Sequence, residues 1–91
     1  GAVSRETALE MVNGLKQKTS APVGVAITGI AGPGGGTREK PVGLVFIAAY
    51  LKDNVVCKRL ELIGNRERIR NDACLHALDM VRRLILGVEQ Q

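Results

Sequence analysis

Two groups of residues in this chain carry the types and spacing that chemistry needs. The first is the run from Thr28 to Gly43, TGIAGPGGGTREKPVG, which lies between two β-branched stretches and concentrates glycine and proline as no other segment does. Glycine there allows positive φ and close backbone approach, and free N–H groups at a strand end can meet anionic or carbonyl oxygens. The second group is Arg66, Arg68 and Arg70, which crowd the first turns of the last expected helix. Positive charge opposes the helix dipole there, and guanidinium forks suit phosphate or carboxylate. Each group also has a purely structural interpretation. The glycine run suits a long connection between strands, and the arginines can pair with Glu67 and Asp72 as a solvated helix face. The Thr28 hydroxyl either projects from the sheet end into a pocket or bonds the turn backbone. Glu39 and Lys40, just before Pro41, form at most a surface ion pair of little worth.

Standard nucleotide fingerprints fail on this run. Gly29 and Gly34 have Walker spacing, but Gly35-Gly36 follow where Lys and Ser or Thr are needed. No Gly-x-Gly-x-x-Gly fits, and a strand rather than a helix follows. Elsewhere, His76 sits beside Leu75 and Ala77 without a carboxylate at ligand or triad spacing, so a structural role is expected. Ser4 and Ser20 lack a nucleophile-elbow context, and Cys57 falls in an alternating strand. The chain therefore contains no complete catalytic constellation.

The elements that must position these groups follow from periodicity. Ser4 is an N-cap, and Ala8, Met11, Val12 and Leu15 then recur at helical spacing, with Lys16 and Lys18 at the cation-favouring end, which predicts a helix over 5–18. After Thr19-Ser20-Ala21-Pro22, the run Val23 to Ile27 predicts a short apolar strand of the buried kind. Val42 to Leu51 and Val55 to Ile63 predict a hairpin turning at Lys52-Asp53-Asn54. Its second strand is expected at an edge, with Val56, Leu60 and Leu62 on one face and Lys58 and Glu61 in solvent. Asn65 caps a last helix over 66–86, whose stripe Ile69, Ala73, Ala77, Met80 and Leu84 is widened by Cys74, Leu78, Val81 and Ile85 and should pack on the sheet. Gly87 stops it, and Glu89-Gln90-Gln91 reads as a frayed tail.

Length and composition bound the rest. At 91 residues the chain is at most one domain, with a modest core built from Val, Ile, Leu, Ala and Met because Phe46 and Tyr50 are its only aromatics. The net charge of +4 could favour an anionic ligand, but without a concentrated basic face or stacking aromatics it does not suggest nucleic acid. Cys57 and Cys74 form no CxxC pair, which points to a reducing, cytoplasmic setting without a zinc site or disulfide scaffold. No segment approaches a membrane span, and Gly1-Ala2-Val3-Ser4 has no signal pattern. A start at Gly1 suggests a fragment, a processed chain or a tag scar.

The words of the glycine run supply a family. Thr28 to Thr37, followed by Glu39-Lys40-Pro41-Val42-Gly43, resembles the C-terminal domain of CinA, the competence/damage-inducible protein family. The resemblance extends through Gly1 to Ser4, similar to the family's helix start, and through Gly64 to Arg70, similar to its arginine-bearing helix start. It implies an α/β/α layered fold and an amidohydrolase that converts nicotinamide mononucleotide to nicotinate mononucleotide and ammonia. It further implies a Ser/Lys mechanism with an acyl-enzyme, and neither metal nor cofactor. The family's Ala-Glu-Ser-Cys-Thr-Gly-Gly-like nucleophile motif, with its Tyr and Lys partners, lies upstream of where this chain starts. Lys16, Lys18 and Tyr50 stand in other contexts.

What carries over by resemblance is a substrate-pocket wall of Thr28, Gly29, Gly32, Gly34, Gly35 and Gly36, with Arg66 and Arg70 as phosphate or carboxylate contacts. The expected unit is the latter half of such a domain over residues 1–91, ordered helix, strand, loop, strand, strand, helix. It is expected to be inactive alone, with its ligand nicotinamide mononucleotide or a similar phosphorylated small molecule. It is also expected to associate with an upstream segment or with another copy, because half a domain leaves apolar faces uncovered. The alternative is a noncatalytic nucleotide-binding or assembly module.

Overall fold

The structure, a computed structural model, describes residues 3–29 and 42–91. The glycines Gly32, Gly34, Gly35 and Gly36 lie outside the described residues, as do Glu39 and Lys40. The order is α1 (Arg5–Lys18), β1 (Val23–Gly29), β2 (Leu44–Leu51), β3 (Asn54–Glu61) and α2 (Arg66–Leu86). The strands form one antiparallel sheet in the order β1-β2-β3. The helices cover opposite faces of it, which makes the expected α/β/α layers.

Capping sets the helix bounds. Ser4 Oγ accepts from the Thr7 N–H at 3.1 Å, and Asn65 Oδ1 accepts from the Arg68 N–H at 2.9 Å. Such caps are each worth about 1 kcal/mol. α2 ends at Gly87, φ 70°, where the Val88 N–H donates to the Arg83 carbonyl at 3.0 Å.

β2 is apolar throughout, LVFIAAYL, and its alternation builds two cores. Val45, Ile47 and Ala49 face α2 and pack with Ile69, Ala73, Ala77 and Met80. Ala48 and Tyr50 face α1 and pack with Ala8, Val12 and Ala26. The Tyr50 ring lies over Gly24, where a Cβ would come within 2.5 Å of its Cε2, and its hydroxyl donates to the Ala21 carbonyl at 2.9 Å. Tyr50 thus serves as packing and as an anchor for the α1–β1 connection.

Four expectations need correction. β1 is not a buried strand but an edge, with only Ala26 buried, because antiparallel pairing to β2 leaves its other side unpaired. β1 also runs on to Gly29, so Thr28 stands inside the strand rather than after it. The second stripe of α2 does not pack on the sheet: Cys74, Leu78 and Ile85 are exposed. The tail is tied down, since Arg83 Nη1 donates to the Glu89 carbonyl at 2.9 Å and Gln90 Nε2 to the Met80 carbonyl at 3.1 Å.

Asp79 organises that end. Its carboxylate accepts from Arg82 at 2.7 Å and from Arg83 at 2.8 Å, and these bonds, Arg83's first, pull its pKa down to about 2. A depressed carboxylate pKa stabilises the fold above the unfolded value and loses that contribution as pH falls through the folded one. Urea midpoints of the parent chain should therefore drop between pH 4 and pH 2 more steeply than those of Asp79→Asn.

Gly43 and Gly87 separate two costs of a side chain. Gly43 has φ 94°, accepts from the Leu62 N–H at 2.8 Å, and would drive a Cβ into the Leu62 carbonyl; Gly87 has open space around it. Gly87→Ala should cost about 1 kcal/mol of left-handed strain, and Gly43→Ala about 1–3 kcal/mol more from overpacking, read from denaturation midpoints.

Candidate functional site

A cavity of about 260 Å³ opens where the C-terminal end of β1 meets the start of α2, lined by Ile27, Gly29, Val45, Ile69, Arg70, Ala73 and Cys74. Register explains its walls: Gly29 pairs with Val45 and Ile27 with Ile47, so both project to the α2 face. Ile69 and Ala73 reach it because they belong to the buried stripe of α2. The walls are apolar except for the backbone at Gly29, the guanidinium of Arg70 and the thiol of Cys74. An adjoining depression is lined by Glu67, Arg70, Asn71 and Cys74. A flat, partly apolar ligand bearing an anionic group suits such a cleft.

The structure divides the residues singled out from sequence. Gly29 and Arg70 come together in the cavity. Thr28, half-buried, pairs with Phe46 and so lies on the opposite, α1 face of the sheet. Arg66 is exposed at the first turn of α2 and lines neither depression, and Arg68 is drawn into an ion pair with Asp72 at 3.7 Å. Among the described residues Arg70 has no ion-pair partner. Sequence reasoning missed Ile27, Val45, Ile69, Ala73 and Cys74 as cavity walls. Only Cys74 had a signal, since it sits one helical turn after Arg70 and shares its side.

The remaining polar groups lie elsewhere. Lys16 pairs with Asp53 at 3.3 Å and stands 5.8 Å from the Tyr50 ring centre, on the α1 side. His76 is half-buried beside Leu75 and Asp79 in a shallow depression away from the cavity. Among the described residues no group of three or more His, Cys, Asp or Glu could hold a metal ion. No described helix is long and apolar enough to cross a membrane.

With this geometry in view, comparison with known proteins identifies the family. The model of the CinA C-terminal domain matches residues 1–85. This chain belongs to the CinA C-terminal domain family. A CinA-like protein of Kosmotoga olearia is 52% identical over 86 residues, covering 94% of this chain and 21% of that protein. The competence/damage inducible protein CihA of Agrobacterium tumefaciens superposes with a TM-score of 0.89 at 45% identity, over 92% of this chain and 52% of that one. A CinA superfamily protein of Escherichia coli gives a TM-score of 0.84 at 34% identity, over 91% of this chain and 48% of that one. The chain thus spans about half the length of these solved relatives and about a fifth of that curated relative.

The two free thiols of this CinA-family chain differ in setting. Cys74 is exposed at the cavity, whereas Cys57 is half-buried on the α1 face and burial pushes its pKa up, against a smaller opposing pull from Arg5. Since the thiolate is the reactive form, Cys74 should label with iodoacetamide at pH 7.5 about tenfold faster than Cys57, measured by peptide mass spectrometry.

Proposed function

We propose that this chain contributes one wall of an amidohydrolase site that deamidates nicotinamide mononucleotide to nicotinate mononucleotide. Membership of the CinA C-terminal domain family supports the reading, and the observation that carries it is Arg70, unpaired among the described residues, beside an apolar-walled cavity at the end of β1. In this reading Arg70 holds the phosphate through charge-assisted hydrogen bonds, and Ile27, Val45 and Ile69 pack against the ring. Gly29 supplies backbone at the end of β1, and the run containing Gly32, Gly34, Gly35 and Gly36 that follows it in sequence lies outside the described residues. Thr28, on the α1 face of the sheet, and Arg66, which lines neither depression, stand outside this cavity.

The chemistry itself belongs to residues outside this chain. A serine oxygen bonds to the amide carbonyl carbon while a lysine takes its proton; the lysine passes that proton to the amide nitrogen as the C–N bond breaks, and ammonia leaves. Water then cleaves the resulting ester to the acid. The two free cysteines suit a reducing cytoplasm for this reaction.

Ammonia release from nicotinamide mononucleotide tests the proposal. The chain alone should release none. Joined in one polypeptide to the half of the Agrobacterium protein that it does not match, it should turn over. Arg70→Ala should then lower kcat/KM about 10- to 100-fold, the loss of a hydrogen bond to a charged group, with Arg66→Ala changing it less. Binding without hydrolysis in the joined protein would instead mark a nucleotide-binding module.

A further inference from the structure

Glu67, Arg70, Asn71 and Cys74 follow one another along α2 at intervals of three, one and three residues, so they share one side of the helix. Together they line the polar depression that adjoins the cavity. Arg70 and Cys74 line both spaces, which puts the guanidinium at the junction of an apolar chamber and a polar one. A spacing of three residues lets a carboxylate and a guanidinium join, yet Glu67 and Arg70 form no ion pair. Among the described residues Glu67 and Asn71 have no other side-chain partner either. Other charges of α2 are matched: Arg68 with Asp72 at 3.7 Å, and Asp79 with Arg82 at 2.7 Å and Arg83 at 2.8 Å. The depression therefore holds a carboxylate that neutralises no cation among the described residues.

We infer that Glu67 is a specificity-determining residue of the Arg70 site, which admits a ligand with one phosphoryl group and rejects one in which a second phosphoryl group extends from the first. The inference rests on the reading of Arg70 as the phosphate contact and is independent of the reaction that follows. With the ring against Ile27, Val45 and Ile69, a phosphoryl group at Arg70 stands between the two chambers. A further phosphoryl group gains nothing from the apolar walls and is directed into the polar depression, where the charged side chain besides Arg70 is Glu67. Arg70 compensates the first phosphate by contact. The second meets like charge, and specificity is built by such repulsion as well as by attraction. Asn71, an uncharged donor and acceptor, suits hydroxyl groups there instead. Glu67 also lies in the first turn of α2, where an acid favours the helix dipole, so a test must separate that role from selectivity.

Selectivity between nicotinamide mononucleotide and the corresponding nucleoside 5′-diphosphate does so, in the chain alone and joined to the half of the Agrobacterium protein that it does not match, without divalent cations. It is read from kcat/KM where ammonia is released and from calorimetric dissociation constants where it is not. Glu67→Gln should shift the ratio toward the diphosphate about tenfold at about 0.01 M salt. At about 1 M salt, where the screening length falls from about 30 Å to about 3 Å, the shift should shrink to about twofold or less. Glu67→Asp, which keeps the charge, should retain most of the preference of the parent chain. A carboxylate that only supports the helix would move both ligands together and leave the ratio unchanged. That result, with Arg70→Ala weakening both ligands, overturns the role of Glu67 and leaves the phosphate contact standing. Absence of binding in both forms, or binding that Arg70→Ala does not weaken, overturns the contact and the inference with it.

Discussion

Everything in this fold hangs on β2 being apolar on both faces. A strand of the sequence LVFIAAYL can be satisfied only at the centre of a sheet with a layer on each side. The small pair Ala48 and Ala49 lets each helix approach, while Ile47 and Tyr50 fill the two cores from the same strand; all four are at most 1% exposed. Fully burying each of the large side chains contributes about 1.5–3 kcal/mol, so the central strand is the main source of cohesion for both layers. The two neighbouring strands then inherit their places: β3 through a two-residue turn, and β1 through the side of β2 that remains.

The two faces are finished differently, and function follows the difference. On the α1 side, Tyr50 covers Gly24 and bonds the Ala21 carbonyl, and Lys16 reaches Asp53 beside the hairpin, so the layer is closed by specific contacts. On the α2 side, the helix buries one stripe against β2 and leaves its second stripe bare next to β1. The cavity is a consequence of that single offset. Gly29 lets β2 approach closely there, since a Cβ would come within 2.9 Å of Val45 Cγ2 and 3.0 Å of the Leu44 carbonyl oxygen.

Local signals made much of this legible in the sequence. Ser4, Asn65 and Gly87 mark helix ends through hydrogen bonds to residues three or four positions away, so 5–18 and 66–86 could be read directly. The hairpin was equally local. What escaped depends on partners distant along the chain. Val23 to Ile27 is apolar enough for a central strand, and its edge position is decided by β2. Thr28 and Gly29 adjoin in sequence, yet strand alternation sends them to opposite faces, and only the register to Phe46 and Val45 reveals which. Cys74, Leu78 and Ile85 belong to an apolar stripe by periodicity, but periodicity cannot say that the three-stranded sheet leaves them exposed. Between Arg66 and Arg70, identical chemistry at one-turn spacing concealed that a single guanidinium reaches the cavity.

Arg70 is where local preferences and the fold disagree most. A cation near the start of a helix opposes the dipole, and this one stands beside apolar walls with Glu67 in the adjoining depression but no ion-pair partner among the described residues. Sequences tolerate such conflicts where a ligand resolves them. An anionic group in the cavity would supply the missing charge.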